Sequence, residues 1–189
     1  MDSGTDEELV RRFVDGDGDA FTDLVERHHA RVYNIAFRML GGREDALDAA
    51  QDVFLTCLRK LRGFRGQSAF TTWLHRVTVN VCLDTIRRRR PEQPLGDELP
   101  EIPVGDASDS AAQAVDVQRA LLQVPEDFRT VLVLHDIHGQ PYETIAEILG
   151  APVGTVKSRL HRGRVALGKA LRGEHLGALP ASNLEETME

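Results

Sequence analysis

The spacing of apolar residues along the chain predicts helices and no sheet. Alternation of apolar and polar residues never persists, whereas apolar residues recur at spacings of three and four up to about residue 172. In the first half this spacing predicts four helices, separated by glycine-containing breaks, over about residues 5–15, 20–40, 43–61 and 69–90. Four such helices suffice for a small compact domain.

The chain between the periodic parts has a different composition. Residues 91–110 are rich in Pro, Gly, Glu and Asp and lack periodicity, which predicts a flexible acidic linker. Helical periodicity resumes at about Ala111, and residues 173–189 hold four acidic residues without periodicity, which predicts a disordered tail. The sequence therefore predicts an all-α fold of two small helical domains, with the first at 1–90, the linker at 91–110, the second at 111–172 and the tail at 173–189.

Composition limits the class of protein. The 189 residues are 41% hydrophobic and 28% charged, as in soluble globular proteins. No apolar run approaches the roughly 20 residues that span a bilayer, and the N-terminus lacks the basic start and apolar segment of a signal peptide. A cytoplasmic protein without direct membrane insertion is expected. Its two cysteines, Cys57 and Cys82, are too few for a disulfide scaffold and lack metal-ligand spacing.

The distribution of charge changes the interpretation of an acidic chain. A net charge of −7 argues against a nucleic-acid-binding protein. Residues 57–90, however, hold 9 Lys and Arg against 1 acidic residue (net +8), and residues 151–172 hold 6 against none (net +6). The local field, rather than the total charge, decides whether a phosphate backbone is attracted. One such block could be a solvated helix face, but two of them favour nucleic-acid binding.

Residues 141–160 have the pattern of a helix-turn-helix. Pro141 suits the first turn of a short helix, and Gly150 can adopt the left-handed conformation that ends it. The next helix has an apolar back and a cationic front without acidic residues, as a recognition helix in a major groove requires. The back is expected to comprise Val153, Val156, Leu160, Leu167 and Leu171. The candidate DNA contacts are Thr155, Ser158, Arg159 and Arg162 on the front, with Lys157 and Arg164 on its flanks.

Two points about this segment stay open at the level of sequence. An ordinary αα-hairpin in a helical bundle has the same turn, although such hairpins rarely concentrate six positive charges on one face. Arg159 and Arg162 suit guanine edges and phosphates equally well.

The first basic block mixes cations with aromatic residues. Cations attract a nucleic-acid strand, and exposed aromatic rings stack on unpaired bases. Phe70 and Trp73 stand at helical spacing, which favours a place in the core, whereas Phe64 lies in a loop between two glycines.

In the preceding helix the apolar spacing places Phe54, Cys57 and Leu58 inward.

The first domain resembles a known family. Residues 48–55 (DAAQDVFL) and 70–80 (FTTWLHRVTVN), followed by Asp84 and the pair Arg87 and Arg88, resemble the second conserved region of bacterial sigma factors of the sigma-70 family.

The second domain carries the same resemblance. Residues 154–164 (GTVKSRLHRGR) are similar to the fourth region of that family. The short connection between the two regions resembles the extracytoplasmic-function (ECF) subgroup, and the likeness covers about residues 6–172. One position departs from the family pattern, since Leu47 stands where an acidic residue is usual.

The resemblance implies a function and a set of partners. Such proteins bind core RNA polymerase and direct it to promoters, where the helix-turn-helix reads the −35 element as duplex and the first domain captures −10 non-template bases as single strand. By motif position, the −10 contacts are Phe64, Arg65, Gly66, Gln67, Ser68, Asn80, Arg87 and Arg88. Contacts to the polymerase clamp helices are implied for Asp45, Asp48, Gln51 and Asp52, and to the flap for residues 131–137. An anti-sigma factor is an expected partner, and no cofactor, metal or catalytic residue is expected.

Two other classes of function compete with this interpretation. A stand-alone regulator would use only the helix-turn-helix and leave residues 1–90 as a sensor domain. An enzyme has little support, because no phosphate-binding loop GxxxxGK[ST] and no nucleophile–base signature are present. His135 and His138 are spaced to share a metal ion, but no third ligand stands at a suitable spacing.

Overall fold

The computed structural model describes residues 4–64, 66–89 and 109–174, with side chains from residue 115 onward in the last range. Within these ranges the chain is helical and has no strand, which confirms the all-α prediction. The helices are α1 (Asp6–Val14), α2 (Gly18–Leu40), α3 (Arg43–Lys60), α4 (Phe70–Arg89), α5 (Asp109–Gln123), α6 (Glu126–Leu132), α7 (Tyr142–Leu149) and α8 (Val153–Leu171). A 3₁₀ turn, Leu61–Gly63, follows α3, and a π-helical turn, Val133–Ile137, extends α6.

Two predicted segments lie almost wholly outside the described residues. Of the linker predicted at 91–110, only residues 109 and 110 are described, and they form the start of α5. The second helical part therefore begins two residues earlier than predicted. Of the predicted tail, only residues 173 and 174 are described.

Side-chain caps define where the first two helices begin. The Thr5 hydroxyl accepts from the Glu8 amide at 3.2 Å, and the Glu8 carboxylate accepts from the Thr5 amide at 2.7 Å, which closes a capping box. The Asp17 carboxylate accepts from the Asp19 amide at 3.0 Å, so α2 begins at Gly18, two residues before the predicted start.

Prolines precede the helices of the second domain. Pro125 and Pro141 occupy the N-cap positions of α6 and α7 with extended ψ angles of 141° and 156°, which places Pro141 one residue before the first turn predicted for it. Gly150 ends α7 in the left-handed conformation (φ 61°, ψ 36°), as the helix-turn-helix pattern predicts.

Helices α1–α4 enclose the core of the first domain. It combines aliphatic side chains from all four helices with Phe13 and Phe70, which are 6% and 2% exposed. The thiol of Cys57 lies in this core and is free. Its buried members are Leu9, Val10, Phe13, Ala20, Leu24, Val32, Ala50, Val53, Cys57, Leu61, Phe70, Leu74 and Val77.

A second core joins the two domains. One side of α2, with parts of α3 and α4, packs against the inner faces of α5–α8. From the first domain it contains Ile35, Ala36, Met39, Leu40, Ala46, Ala49, Val79 and Cys82. From the second it contains Leu121, Val124, Val131, Leu132, Val133, Leu134, Ile145, Ile148, Val156, Leu160 and Ala166. We call this arrangement the closed packing.

Hydrogen bonds reinforce the closed packing. Arg129 on α6 donates to the Met39 carbonyl of the first domain at 2.5 Å and to the Leu122 carbonyl at 2.8 Å. Gln118 on α5, only 1% exposed, donates to the Phe37 carbonyl at 3.0 Å. Burial lowers the pKa of Arg129 to about 10, which still leaves it charged at neutral pH.

Gly41 lies at a close contact between the domains. Its φ of 86° is in the left-handed region that favours glycine, and it ends α2. A Cβ atom at this position would lie 2.4 Å from Leu122 Cδ1 of α5. Only glycine therefore lets the α2–α3 turn pack this closely against α5.

None of the helices that the structure describes combines the length and apolar character needed to cross a membrane.

Candidate nucleic-acid interface

Helix α8 has one buried and one exposed side. Val156 and Leu160 are buried as predicted, and Gly163 and Ala166 complete the inner row. Leu171, predicted to be inward, is 50% exposed, whereas its neighbour Ala170 is buried in the same last turn.

The predicted −35 contacts share the outer side of α8 but differ in accessibility. Lys157, Ser158, Arg162 and Arg164 are exposed, whereas Thr155 and Arg159 are half-buried. No acidic residue lies on this helix. The side is therefore cationic, as binding to a phosphate backbone requires.

Several of these cations have partners inside the protein. Arg164 donates to both carboxylate oxygens of Asp136, at 2.9 and 2.6 Å, and Arg159 donates to Asp127 at 3.4 Å. The Arg164 guanidinium is the main reason that the pKa of Asp136 lies below its ordinary value. Arg162 has no ion-pair partner within the described part of the chain, so its guanidinium is available to DNA.

The exposed side of α8 also contains a residue that the sequence argument did not select. His161 is exposed and stands three residues after Ser158, on the same helix face. Its spacing of three residues from Ser158 could have identified His161 from the sequence. It was not selected because the neighbouring arginines dominate the charge pattern of the helix.

A pocket opens between the loop after α3 and the first turns of α4. Its volume is about 360 Å³, and its walls come from both domains. The rings of Phe64 and Trp73 lie 5.4 Å apart at an angle of 53° and form its aromatic side. The residues that line it are Gly63, Phe64, Gln67, Ser68, Trp73, Arg76 and Glu147.

The pocket brings together part of the predicted −10 set. Phe64, Gln67 and Ser68 line it, and Gly66 lies in the same loop with a φ of 65°. Arg65 lies outside the described residues. Phe70 is in the core at 2% exposure, as predicted, whereas Trp73 is only half-buried and faces the pocket.

One face of α4 continues from the pocket towards the C-terminal end of the helix. Trp73, Arg76, Asn80 and Arg87 follow one another at spacings of three, four and seven. Asn80 and Arg87 are exposed, and Arg87 pairs with Asp84 at 3.3 Å. Arg76 is the residue on this face that the sequence argument missed, although its helical spacing from Asn80 was visible.

The end of α4 is basic and exposed. Arg88 donates to the Thr85 hydroxyl and to the Asp84 carbonyl, both at 3.4 Å. The pair Arg87 and Arg88 thus lies two turns beyond Asn80, not in the pocket itself. The predicted −10 residues form a track along α4 that ends at the pocket.

The predicted polymerase contacts lie on α3. Asp48, Gln51 and Asp52 are exposed and follow one side of the helix. Asp45 is half-buried and forms an ion pair with Arg89 at the end of α4. Three of the four predicted side chains are therefore accessible, and the fourth is engaged within the protein.

Exposed apolar side chains border this acidic row. Leu47, Leu55 and Leu58 are 44%, 42% and 44% exposed, and they line an apolar groove of about 290 Å³ between α2 and α3. Leu58 was predicted to point inward, which is wrong. The inner row of α3 is Ala46, Ala49, Ala50, Val53 and Cys57, which leaves Leu58 on the outer side.

Two of the histidines, His28 and His135, form hydrogen bonds and ring contacts within the protein. His28 lies 2.9 Å from the Asp6 carboxylate and packs against the Phe70 ring. His135 lies 2.7 Å from Asp136 and stacks on Tyr142 at 4.8 Å. Among the described residues no group of three or more potential ligands is placed to hold a metal ion.

Comparison with known proteins identifies both halves of the chain. Residues 24–92 match the family model for sigma-70 region 2, and residues 114–167 match that for sigma-70 region 4. The ECF RNA polymerase sigma factor SigW of Bacillus subtilis is 36% identical, and the match covers 86% of this chain and 95% of that protein. The ECF RNA polymerase sigma factor SigM of Mycobacterium tuberculosis is 40% identical over 169 residues, covering 88% of this chain and 85% of that protein.

Solved structures share the fold. CnrH, in its complex with the cytosolic domain of CnrY, superposes with a TM-score of 0.70 at 24% identity, covering 90% of this chain and 99% of that one. The sigma factor RpoE of Bartonella quintana, in complex with the anti-sigma factor NepR, gives 0.69 at 24% identity, covering 82% and 98%.

Proposed function

This chain belongs to the ECF sigma factors of the sigma-70 family, and from that premise we propose how its surfaces share the recognition of a promoter. It directs promoter-specific transcription initiation and is not an enzyme. A stand-alone regulator is disfavoured, since both sigma regions are present and in order. Because its partner is RNA polymerase, it acts in the cytoplasm.

The second domain, residues 111–172, reads the −35 element through α8. Arg162 is the first candidate for a base contact, because its guanidinium is exposed and has no ion-pair partner in the described part of the chain. Lys157, Ser158 and Thr155 approach the groove from the same helix. Arg159 and Arg164 are paired with Asp127 and Asp136, and we assign them to phosphate contacts in which a phosphate oxygen replaces the carboxylate oxygen.

The first domain, residues 1–90, captures single-stranded bases of the −10 element. A flipped base loses stacking worth a few kcal/mol, which a pocket with an aromatic wall and hydrogen-bonding groups can offset. Phe64 and Trp73 supply the aromatic wall, and Gln67 and Ser68 supply polar groups at its edge. The DNA strand then runs along α4, where it contacts Asn80, Arg87 and Arg88.

Core polymerase binds the outer side of α3. The accessible acidic row Asp48 and Asp52, with Gln51 between them, offers negative charge to the clamp helices. Leu47 and Leu55 add apolar surface beside it. The contact with the polymerase flap that was implied for residues 131–137 can involve fewer residues than expected. Residues 131–134 are buried, whereas Ile137 is 44% exposed.

An anti-sigma factor regulates the protein by covering these same surfaces. The acidic row and the exposed leucines of α3 would be its target, since covering them prevents binding to polymerase. Copurification of a small partner protein that is displaced by core polymerase would test this assignment.

The observation that carries the division of labour is that the aromatic wall of the pocket, Phe64 and Trp73, belongs to the first domain, whereas the acid-free cationic helix belongs to the second. The test is reconstituted transcription with core polymerase on a promoter library, comparing wild type with Phe64→Ala and Arg162→Ala. Arg162→Ala is expected to weaken promoter binding by roughly 1–3 kcal/mol and to relax preference within the −35 element. Phe64→Ala is expected to retain closed-complex binding and to lose promoter opening.

Lys169→Ala is the matched control for α8, because it removes one charge from the same helix outside the predicted contacts. If Arg162→Ala alters binding no more than Lys169→Ala does, Arg162 is not a base contact. If Phe64→Ala opens promoters at the wild-type rate, the pocket does not take −10 bases.

A further inference from the structure

The second domain contacts the pocket assigned to the −10 element. Arg76 on α4 donates from Nη2 to the backbone carbonyl of Glu147 on α7 at 2.6 Å, and the Glu147 carboxylate lies 3.9 Å from the same nitrogen. Glu147 is also one of the residues that line the pocket. The pocket is therefore shared between a loop of the first domain and an acidic residue of the domain that carries α8.

Arg76 has the properties of a DNA contact. It stands one turn after Trp73 and one turn before Asn80, and its side chain is 42% exposed. A guanidinium beside an aromatic wall can pair with a phosphate and can also stack on a base. Its present partners, a carbonyl and a carboxylate, are oxygen acceptors of the kind that a phosphate also offers.

We propose that Arg76 binds the single strand of the −10 element and that Glu147 occupies it in the closed protein, so that DNA and the second domain compete for one guanidinium. The Glu147 carboxylate also places negative charge in the pocket, which repels an entering phosphate. This inference rests on the proposed function, since it takes the pocket as the site of the −10 strand.

The dimensions of a promoter require this contact to break during recognition. Positions −35 and −10 are separated by about 25 base pairs, or roughly 85 Å of duplex at roughly 3.4 Å per base pair. A compact chain of this length has a radius of gyration of roughly 16 Å and hence a diameter of about 40 Å. A protein that reads both elements on one promoter must therefore move α7 and α8 away from the pocket.

The test compares binding of a labelled single-stranded DNA pool of randomised sequence to the free, full-length protein. Glu147→Lys removes the carboxylate and repels Arg76, whereas Glu143→Lys makes the same charge change one turn earlier on the same helix, at a residue that does not line the pocket. Glu147→Lys is expected to bind the pool several-fold more tightly than Glu143→Lys. Arg76→Ala in the Glu147→Lys background is expected to remove that difference.

The radius of gyration of the free protein is the second measurement. Small-angle scattering is expected to give a larger value for Glu147→Lys than for Glu143→Lys or wild type. Equal affinity and equal size for the two lysine variants would overturn the competition between Glu147 and DNA.

A holoenzyme assay separates this inference from the function on which it rests. Arg76→Ala is expected to impair promoter opening as Phe64→Ala does, with Arg76→Lys retaining part of the activity because it keeps the charge. If Phe64→Ala fails to open promoters while Arg76→Ala opens them normally, the role of Arg76 is wrong and the pocket assignment stands. Normal opening by both variants would overturn both. Arg76→Lys replaces Arg76→Ala if the alanine variant does not fold.

Discussion

At Gly163 the backbone of α8 lies too close to α6 for most side chains. A Cβ atom there would lie 3.0 Å from Leu132 Cγ and 3.2 Å from the Phe128 carbonyl oxygen. Leu132 can move only a little, because it is 2% exposed, and the carbonyl is fixed in its helix. Helices α6 and α8 can therefore cross this closely only because residue 163 has no side-chain methyl group.

Gly163→Ala is therefore expected to destabilise the protein, although alanine is the better helix former. Forcing one methyl group into this crossing should cost roughly 1–3 kcal/mol, which exceeds the gain in helix propensity. Urea unfolding of the full chain measures the difference.

Gly154→Ala serves as the control on the same helix, since a Cβ atom there meets nothing within 4 Å. It is expected to leave stability unchanged or to raise it by up to roughly 1 kcal/mol. Equal stability of the two variants would contradict the crowding argument at Gly163.

At the scale of elements, the side chain of Arg129 forms hydrogen bonds that connect three segments of the chain. From α6 it reaches the end of α2 at Met39 and the end of α5 at Leu122, and it also donates to the Val124 carbonyl at 3.2 Å. These carbonyls lie at helix ends, where backbone acceptors lack partners within their own helix. One side chain therefore satisfies acceptors from two helices that are far apart in sequence.

Arg129→Met is expected to lower the free energy of unfolding by roughly 1–3 kcal/mol, because methionine fills similar space and leaves buried acceptors without donors. Thermal unfolding followed by circular dichroism measures the loss. Arg119→Met, an exposed arginine of α5, is the control and is expected to change stability little. A loss at Arg119 as large as that at Arg129 would mean that general charge, not these hydrogen bonds, determines stability.

The helices themselves were largely predictable from local signals. Apolar spacing, the capping box of Thr5 and Glu8, and the left-handed Gly150 are properties of short stretches, and they place most helix ends within two residues. The motif positions also assembled Phe64, Gln67 and Ser68 around one pocket. These features needed no knowledge of distant contacts.

Features that depend on distant packing could not be predicted. The outward position of Leu58 follows from small residues at Ala46, Ala49 and Ala50, which turn another face of α3 towards α2. The pairing of Arg76 with Glu147 joins residues 71 positions apart. Nothing in the sequence around either residue indicates the other, because their proximity results from the closed packing.

At the scale of the whole molecule, the closed packing encloses histidines without hydrogen-bond partners. His75 on α4 is 1% exposed, and neither of its ring nitrogens has a partner among the described residues; Nε2 of His138, after the π-helical turn, lacks one as well. Burial is the main cause that lowers the pKa of His75 to about 4, and the positive charge of Arg31 nearby lowers it further. The pKa of His138 is also lowered, by burial and by Arg31 and Arg38.

Acid is therefore expected to weaken the closed packing. Both histidines are neutral in the closed protein, whereas in an open or unfolded chain they bind a proton near their ordinary pKa of 6.5. The full stability is present above that pH and declines as the pH falls towards 4. For His75 alone, the equilibrium is expected to shift by about tenfold at pH 5.5 relative to neutral pH.

Urea unfolding and small-angle scattering at pH 7.5 and 5.5 test this expectation. His75→Phe is expected to reduce the change with pH, because it removes the buried titrating group and keeps a ring of similar size. His161→Ala, an exposed histidine, is expected to behave like wild type. If His75→Phe responds to pH as wild type does, other groups cause the acid sensitivity.

The contact of Gly41 with Leu122 has a consequence for exchanging parts between sigma factors. A residue larger than glycine at position 41 displaces Leu122, and a larger residue at position 122 meets the α2–α3 turn. A chimaera that takes its second domain from a relative therefore receives the residue at position 122 from one protein and the residue at position 41 from the other. The two positions therefore have to be exchanged together, although one lies in the first domain and the other in the second.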